Sequence, residues 1–162
     1  MLSIPVKLKQ PVLLFFIFLS LNVSSQTLPS FQIQETNGKV INSRSLVNDK
    51  PLVVIYFSPD CDHCTTLLKS VFSKIAFFKK ATILLVSFRP LNELSLFEKE
   101  YQTAKYKNII VGIEQPVFFL RNLYNLESTP FTALYDKKGK LIISYKKDTP
   151  LDDLLIHMKN MK

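Results

Sequence analysis

The stretch Pro51–Phe57 limits what this chain can fold into more than any other. It is apolar throughout, with β-branched Val53, Val54 and Ile55 at its centre and no alternation to mark a wet face. Such a run predicts a strand buried on both faces, and so a sheet covered by helices on either side. Ser58-Pro59-Asp60 breaks it, and the apolar period then changes: Leu67, Leu68, Val71, Phe72 and Ile75 recur at helical spacing without internal Gly or Pro. Lys79 and Lys80 stand where a helix C-terminus favours cations. The only two cysteines, Cys61 and Cys64, fall on this junction, the first at or just before the helix N-terminus and the second one turn in.

That placement points to thiol chemistry. Attack on a disulfide needs an accessible thiolate, and a two-residue spacer lets a second thiol resolve the mixed disulfide within the same turn. Cys61, nearer the exposed terminus, is the expected nucleophile, and Cys64, more covered, the resolving thiol. A helix N-terminus, worth about 0.3–1 kcal/mol at a surface, and a protonated His63 favour the Cys61 thiolate. Asp60 and Asp62 oppose it as like charges, so the expected shift is acidic and modest, one pKa unit being about 1.36 kcal/mol. A purely structural disulfide across so short a loop would constrain the unfolded chain by only about 2 kcal/mol. Structural zinc normally takes four ligands, and beyond the cysteines the chain holds only His63 and His157. No metal is expected, and sulfur exchange needs no cofactor. His157 lies on the polar side of the last helical pattern and reads as a surface residue.

At 162 residues, 47% apolar and 21% charged, the chain has the material for one globular domain. Its net charge of +8 comes from lysines spread over most of the length rather than from a patch interleaved with aromatics, so nucleic-acid binding is not expected. Lys7 and Lys9 ahead of the apolar run Val12–Leu21 form the basic and apolar regions of a secretory signal, with Val23 and Ser25 as small residues before a cleavage at Gln26. The run falls short of the roughly 20 residues a membrane-spanning helix needs. Residues 1–25 are therefore expected to be a signal peptide; retention as an uncleaved anchor is the alternative and the only reason to expect a membrane. Either way residues 26–162 form the exported domain, in a compartment where disulfides persist.

The remaining elements follow in order. Phe31–Ile33 and Lys39–Ile41 read as short strands around the hairpin turn Thr36-Asn37-Gly38-Lys39. Ala81–Phe88 reads as a second buried strand stopped at Arg89-Pro90. A helix is predicted over residues 92–106, with Leu94, Phe97 and Tyr101 on one face and Asn92 or Ser95 as its cap. Asn108–Ile113 reads as a third strand, and Pro116–Tyr124 as a short helix with Pro116 in its first turn. This alternation predicts an α/β layered domain with parallel strand pairs. Phe131–Tyr135 and Leu141–Tyr145 then form a hairpin around Gly139, and Leu151, Leu154, Leu155 and Met158 mark a final amphipathic helix.

With Cys-x-x-Cys at the start of a helix after a buried strand, and Glu127-Ser128-Thr129-Pro130-Phe131 entering a late hairpin, the chain resembles the thioredoxin superfamily. Within it, the likeness is greatest to the exported TlpA- and ResA-like thiol-disulfide oxidoreductases. Phe31–Val40 and Leu134–Lys140 match the flanking segments in order, and the resemblance covers about residues 30 to 160. It implies a three-layer α/β/α sandwich with a mixed central sheet and a C-terminal antiparallel hairpin followed by a helix. It also implies a cis Thr129–Pro130 bond beside the two sulfurs, with Thr129 offering backbone groups to an extended substrate. Four positions depart from the pattern: Asp60 replaces the usual Trp, Ile55 the buried Asp of thioredoxin, Leu67 an acidic residue common in ResA-like proteins, and Lys69 the Pro that bends this helix. Proton handling is thereby left to His63 or solvent.

The expected function is thiol-disulfide exchange with protein clients, with a separate redox partner closing the cycle and a monomer as the working unit. A non-catalytic binding module presenting the Thr129-Pro130 edge is the alternative. Peroxide reduction is a weaker one, since it asks for a Thr and an Arg near the cysteine and the arginines are only Arg44, Arg89 and Arg121.

Overall fold

A seven-stranded sheet runs through the computed structural model, which describes residues 26–161. The expected signal segment, residues 1–25, lies outside the described residues. The strands are β1 Gln32–Glu35, β2 Val40–Asn42, β3 Leu52–Phe57, β4 Thr82–Ser87, β5 Ile109–Gln115, β6 Phe131–Tyr135 and β7 Leu141–Lys146. The α-helices are α1 Asp62–Ser73, α2 Leu91–Tyr101, α3 Phe119–Tyr124 and α4 Leu151–Asn160. In space the strands lie in the order β2-β1-β5-β4-β3-β6-β7. β3, β4 and β5 are mutually parallel, as crossover helices require, and the hairpins at both ends are antiparallel.

Every residue of β3 is buried, because the strand sits between β4 and β6 with a layer on each face. Its side chains divide by the two-residue period. Val53, Ile55 and Phe57 enter a core with Cys64, Leu68 and Val71 of α1, Leu94 and Phe97 of α2 and Leu154 of α4. Leu52, Val54 and Tyr56 enter a second core closed by Leu120 of α3, Phe31 and Leu126. The result is the mixed-sheet α/β/α sandwich with the β6–β7 hairpin leading into α4 that the resemblance implies.

Several element ends differ from expectation. α1 stops at Ser73, and Ile75–Phe78 winds as a tighter 3₁₀ turn that carries Phe78 fully into the core. The Asn108 amide donates to the Phe78 and Ala81 carbonyls, both at 3.0 Å, so Lys79 and Lys80 follow that turn rather than ending an α-helix. α2 begins at Leu91 with Pro90 as its cap, whose carbonyl takes the Glu93 and Leu94 N–H groups; neither Asn92 nor Ser95 caps it. It ends at Tyr101, where Gln102 turns left-handed (φ 51°). β5 runs two residues past Ile113 because its pairing with β1 continues to Gln32–Gln115. Pro116, in a cis bond after Gln115, therefore precedes α3 instead of opening it, and the helix starts at Phe119.

At Gly112 of β5 the neighbouring strand β1 leaves no room for a side chain: a Cβ there would lie 2.5 Å from Ile33 Cγ2 and 2.7 Å from the Gln34 carbonyl oxygen. The second neighbour is backbone, paired in the sheet, and cannot swing aside. Gly112→Ala is expected to destabilise the domain by about 1–3 kcal/mol, the usual cost of overpacking. Urea unfolding should show a lower midpoint at unchanged slope.

Candidate active site

The site lies where the parallel strands end. β3 leaves the core at Phe57, and the Ser58 carbonyl takes the Cys61 N–H at 3.2 Å, folding residues 58–61 into a turn. Cys61 keeps an extended backbone (φ −100°, ψ 117°) and is the N-cap of α1: its sulfur accepts the Cys64 N–H at 3.3 Å and its carbonyl the Thr65 N–H at 2.9 Å. A sulfur thus takes the position where Ser or Asp oxygens usually satisfy a helix's free N–H groups. From across the sheet end, the Thr129 carbonyl accepts the Cys61 thiol proton at 3.5 Å, beside the cis Thr129–Pro130 bond.

The two thiols differ through their surroundings. Partial burial raises the Cys61 pKa, but hydrogen bonds from Cys64, the Thr129 side chain and the Cys64 and His63 backbone outweigh it, holding the thiol below its ordinary value. Cys64 is fully enclosed, and burial first, then its bond to Cys61, pushes it up to about 12. Both are free thiols in this structure.

The charged residues named from the sequence are placed differently from their assigned roles. The His63 imidazole is largely exposed, with Nδ1 3.6 Å from Asp148 in the loop before α4, and it is the His63 backbone that acts on the sulfur. Asp60 accepts from the Ser58 hydroxyl and lies 3.7 Å from Arg89, and both favour its charged form. Arg89 is held in turn by Glu93 through bonds of 2.7 and 3.1 Å. Asp62 is exposed. Neither aspartate nor the imidazole is among the groups that shift Cys61. His157, half-exposed on α4, lies 3.8 Å from Asp153 and away from the sulfurs.

Two cavities flank the cis bond. One, of about 410 Å³, is lined by Asp62, His63, Thr66, Pro130, Lys147 and Asp148. The other, of about 330 Å³, lies against Cys61 itself, with Tyr56, Phe88, Arg121, Leu126 and Thr129 around it. Tyr56, Phe88 and Arg121 have no singular mark in the sequence; only a phenol inside an otherwise hydrocarbon strand hinted at Tyr56. Behind this wall Glu114 is fully buried. Burial raises its pKa against the opposing bonds it accepts, and one oxygen takes the Leu120 N–H at 2.8 Å, fixing the start of α3. Its other oxygen and the nearby Tyr56 hydroxyl close no hydrogen bond of regular geometry among the described residues. A lone acid at the end of the apolar run 109–113 was the available signal for Glu114. Among the described residues no group of His, Cys, Asp and Glu is arranged to hold a metal ion.

Residues 43–162 match a family model described as a thioredoxin-like domain. No curated protein sequence matches the chain. Solved structures with the same architecture include the exposed lipoprotein thioredoxin Etrx1 of Streptococcus pneumoniae, at TM-score 0.60 and 23% identity over 81% of this chain and 98% of that one. The dsbF protein of Mycobacterium tuberculosis gives TM-score 0.66 and 18% identity, covering 84% of this chain and 100% of that one. The peroxidoxin BcpB of the same organism gives 0.71 and 13%, covering 85% and 97%. At these identities the likeness is one of fold.

The split between the thiols has a pH signature. Cys61 is expected to react with iodoacetamide with a midpoint below that of an ordinary thiol, while Cys64 stays unmodified until strongly alkaline pH; peptide mass mapping reads both. A raised folded-state pKa stabilises below the unfolded value and ceases to as pH rises toward the folded one. The reduced protein should therefore lose stability between about pH 8.5, the free-thiol value, and about 12 through Cys64. Cys64→Ala should remove that part of the loss.

Proposed function

The chain belongs to the thioredoxin-like family, and from that premise we propose that it is an exported thiol-disulfide oxidoreductase that exchanges disulfides with protein clients through Cys61 and Cys64. The observation that carries the reading is the Cys61 sulfur seated as N-cap of α1, accessible and accepting a backbone N–H, with Cys64 buried one turn behind it.

In the reducing direction the Cys61 thiolate attacks one sulfur of a client disulfide. The client S–S bond breaks, a Cys61–client disulfide forms, and the departing client sulfur leaves as thiolate and takes a proton from solvent. Cys64 then gives up its proton to solvent and attacks the Cys61 sulfur. The client's second thiolate is released, leaving Cys61 and Cys64 oxidised and the client reduced by two electrons. Burial first, and then the bond to Cys61, keeps Cys64 protonated before the attack; forming the mixed disulfide removes only the second of these causes. The oxidising direction is the same path reversed, and relative potentials choose between them. The Thr129 backbone, at the end of β6 and facing Cys61, suits an extended client segment.

Export to the cell envelope and kinship with the TlpA- and ResA-like branch belong to this proposal; the basic and apolar segment Lys7–Leu21 supports the export. No helix among the described residues is long and apolar enough to cross a membrane. Peroxide reduction has one observation in its favour: Arg121 and Thr129 share a cavity with Cys61. Peroxide consumption no faster than by a free thiol would remove it.

Cys64→Ser is expected to accumulate mixed disulfides with a disulfide-bearing protein, visible as reducible adducts on gels, while Cys61→Ser forms none. Adducts through Cys64 in the Cys61→Ser protein would reverse the roles. A wild-type protein that never closes the Cys61–Cys64 bond would end the proposal, and retained partner binding by the double Cys→Ser variant would favour a binding module.

A further inference from the structure

Beside Cys61 the end of the sheet carries a ladder of aromatic rings that the exchange chemistry does not require. Tyr56 packs on Phe88 at 5.7 Å between centroids, Phe88 on Phe118 at 5.3 Å, and the Arg121 guanidinium lies 5.7 Å from the Phe118 ring centre. Phe118 holds a left-handed backbone (φ 65°, ψ 16°), which a bulky side chain adopts only when its surroundings impose it. Core burial does not account for that conformation, since Phe118 is 40% exposed and its neighbour Val117 44%. Tyr56 and Phe88 form an aromatic wall of the 330 Å³ cavity that opens onto the Cys61 sulfur, with Phe118 packed behind Phe88. That volume is at the low end for ligand cavities, about 300–1,000 Å³, and suits one large side chain.

The cavity is also charged. Arg121 has no ion-pair partner among the described residues, although Glu127 lines the same cavity. A guanidinium stacked on a ring keeps its edge N–H donors for a second partner, and a carboxylate matches them in planar geometry. Even without Lys7 and Lys9 of the expected signal segment, Lys and Arg outnumber Asp and Glu, which adds attraction for an acidic partner.

Resting on the reading of Cys61 as the attacking sulfur, we propose that this cavity seats the residue next to a client's reactive cysteine and selects an extended segment with a large apolar or aromatic side chain followed by a carboxylate. The apolar side chain lies against Tyr56, Phe88 and Leu126, and the carboxylate meets Arg121. The client backbone passes along Thr129.

Short peptides test this, each carrying one cysteine in disulfide linkage to a chromophoric thiol and flanked by Phe-Asp, Gly-Asp, Phe-Lys or Gly-Gly. Stopped-flow release of the chromophore gives the rate for the reduced protein. Phe-Asp is expected to exceed Gly-Gly by at least tenfold, with Phe-Lys several-fold slower than Phe-Asp. Arg121→Gln and high ionic strength should abolish the Asp advantage. Phe88→Ala, which removes a ring lining the cavity, should abolish the Phe advantage, with a cooperative thermal unfolding transition showing that the variant is folded. Equal rates across the four peptides, or preferences that survive both substitutions, would overturn the proposal. An unflanked aromatic disulfide separates the two levels: if wild-type protein reacts with it faster than a free thiol does, the exchange reading stands whatever the peptides show. If it does not, both readings fall.

Discussion

A single hydrogen bond, from the Cys64 backbone N–H to the Cys61 sulfur at 3.3 Å, organises the reactive end of this molecule. It exists because α1 begins immediately after Cys61, and α1 begins there because its apolar face must reach the core that Phe57 and Ile55 leave at the end of β3. The sulfur stands in for the oxygen of an ordinary N-cap. Helix termini carry partial positive charge and unsatisfied donors, so the same contact that starts the helix stabilises the thiolate. Structure and reactivity at Cys61 therefore have one physical cause, and Cys64, one turn further in, is denied the solvent that would let it ionise.

The two faces of β3 do different work. On one, Val53, Ile55 and Phe57 hold α1 and the buried thiol. On the other, Tyr56 reaches the cavity in front of Cys61, with Glu114 behind it fixing the start of α3. On that side α3 starts after a left-handed Phe118, with its Leu120 N–H held by Glu114, and brings Arg121 to the cavity. The alternation of a single strand thus joins a redox pair to a wall that touches whatever the pair attacks.

The elements governed by local pattern were legible in the sequence: the continuous apolar run of β3, the change to helical spacing at Leu67, and the hairpin around Gly139. So was the pairing of the cysteines with Thr129-Pro130, but through family likeness and not through spacing. Helix ends were less legible, because tertiary demands set them. Phe78 must be buried, so α1 gives way to a 3₁₀ turn, and strand pairing to Gln115 leaves Pro116 outside α3. Charges were the least legible. His63 and Asp60 stand beside Cys61 in sequence, yet the imidazole is drawn to Asp148 and the carboxylate to Ser58 and Arg89. Arg121, 60 residues away in the chain, comes instead to the sulfur's cavity.

The central claim is that the capped sulfur and its buried neighbour form a reversible redox couple and not a structural cross-link. Equilibration against dithiothreitol and glutathione buffers, with free thiols counted by mass after alkylation, measures its potential. A two-electron transition lying above about −300 mV, the level below which structural disulfides typically fall, is the expected result. A couple below that level, or thiols that never join, would contradict it.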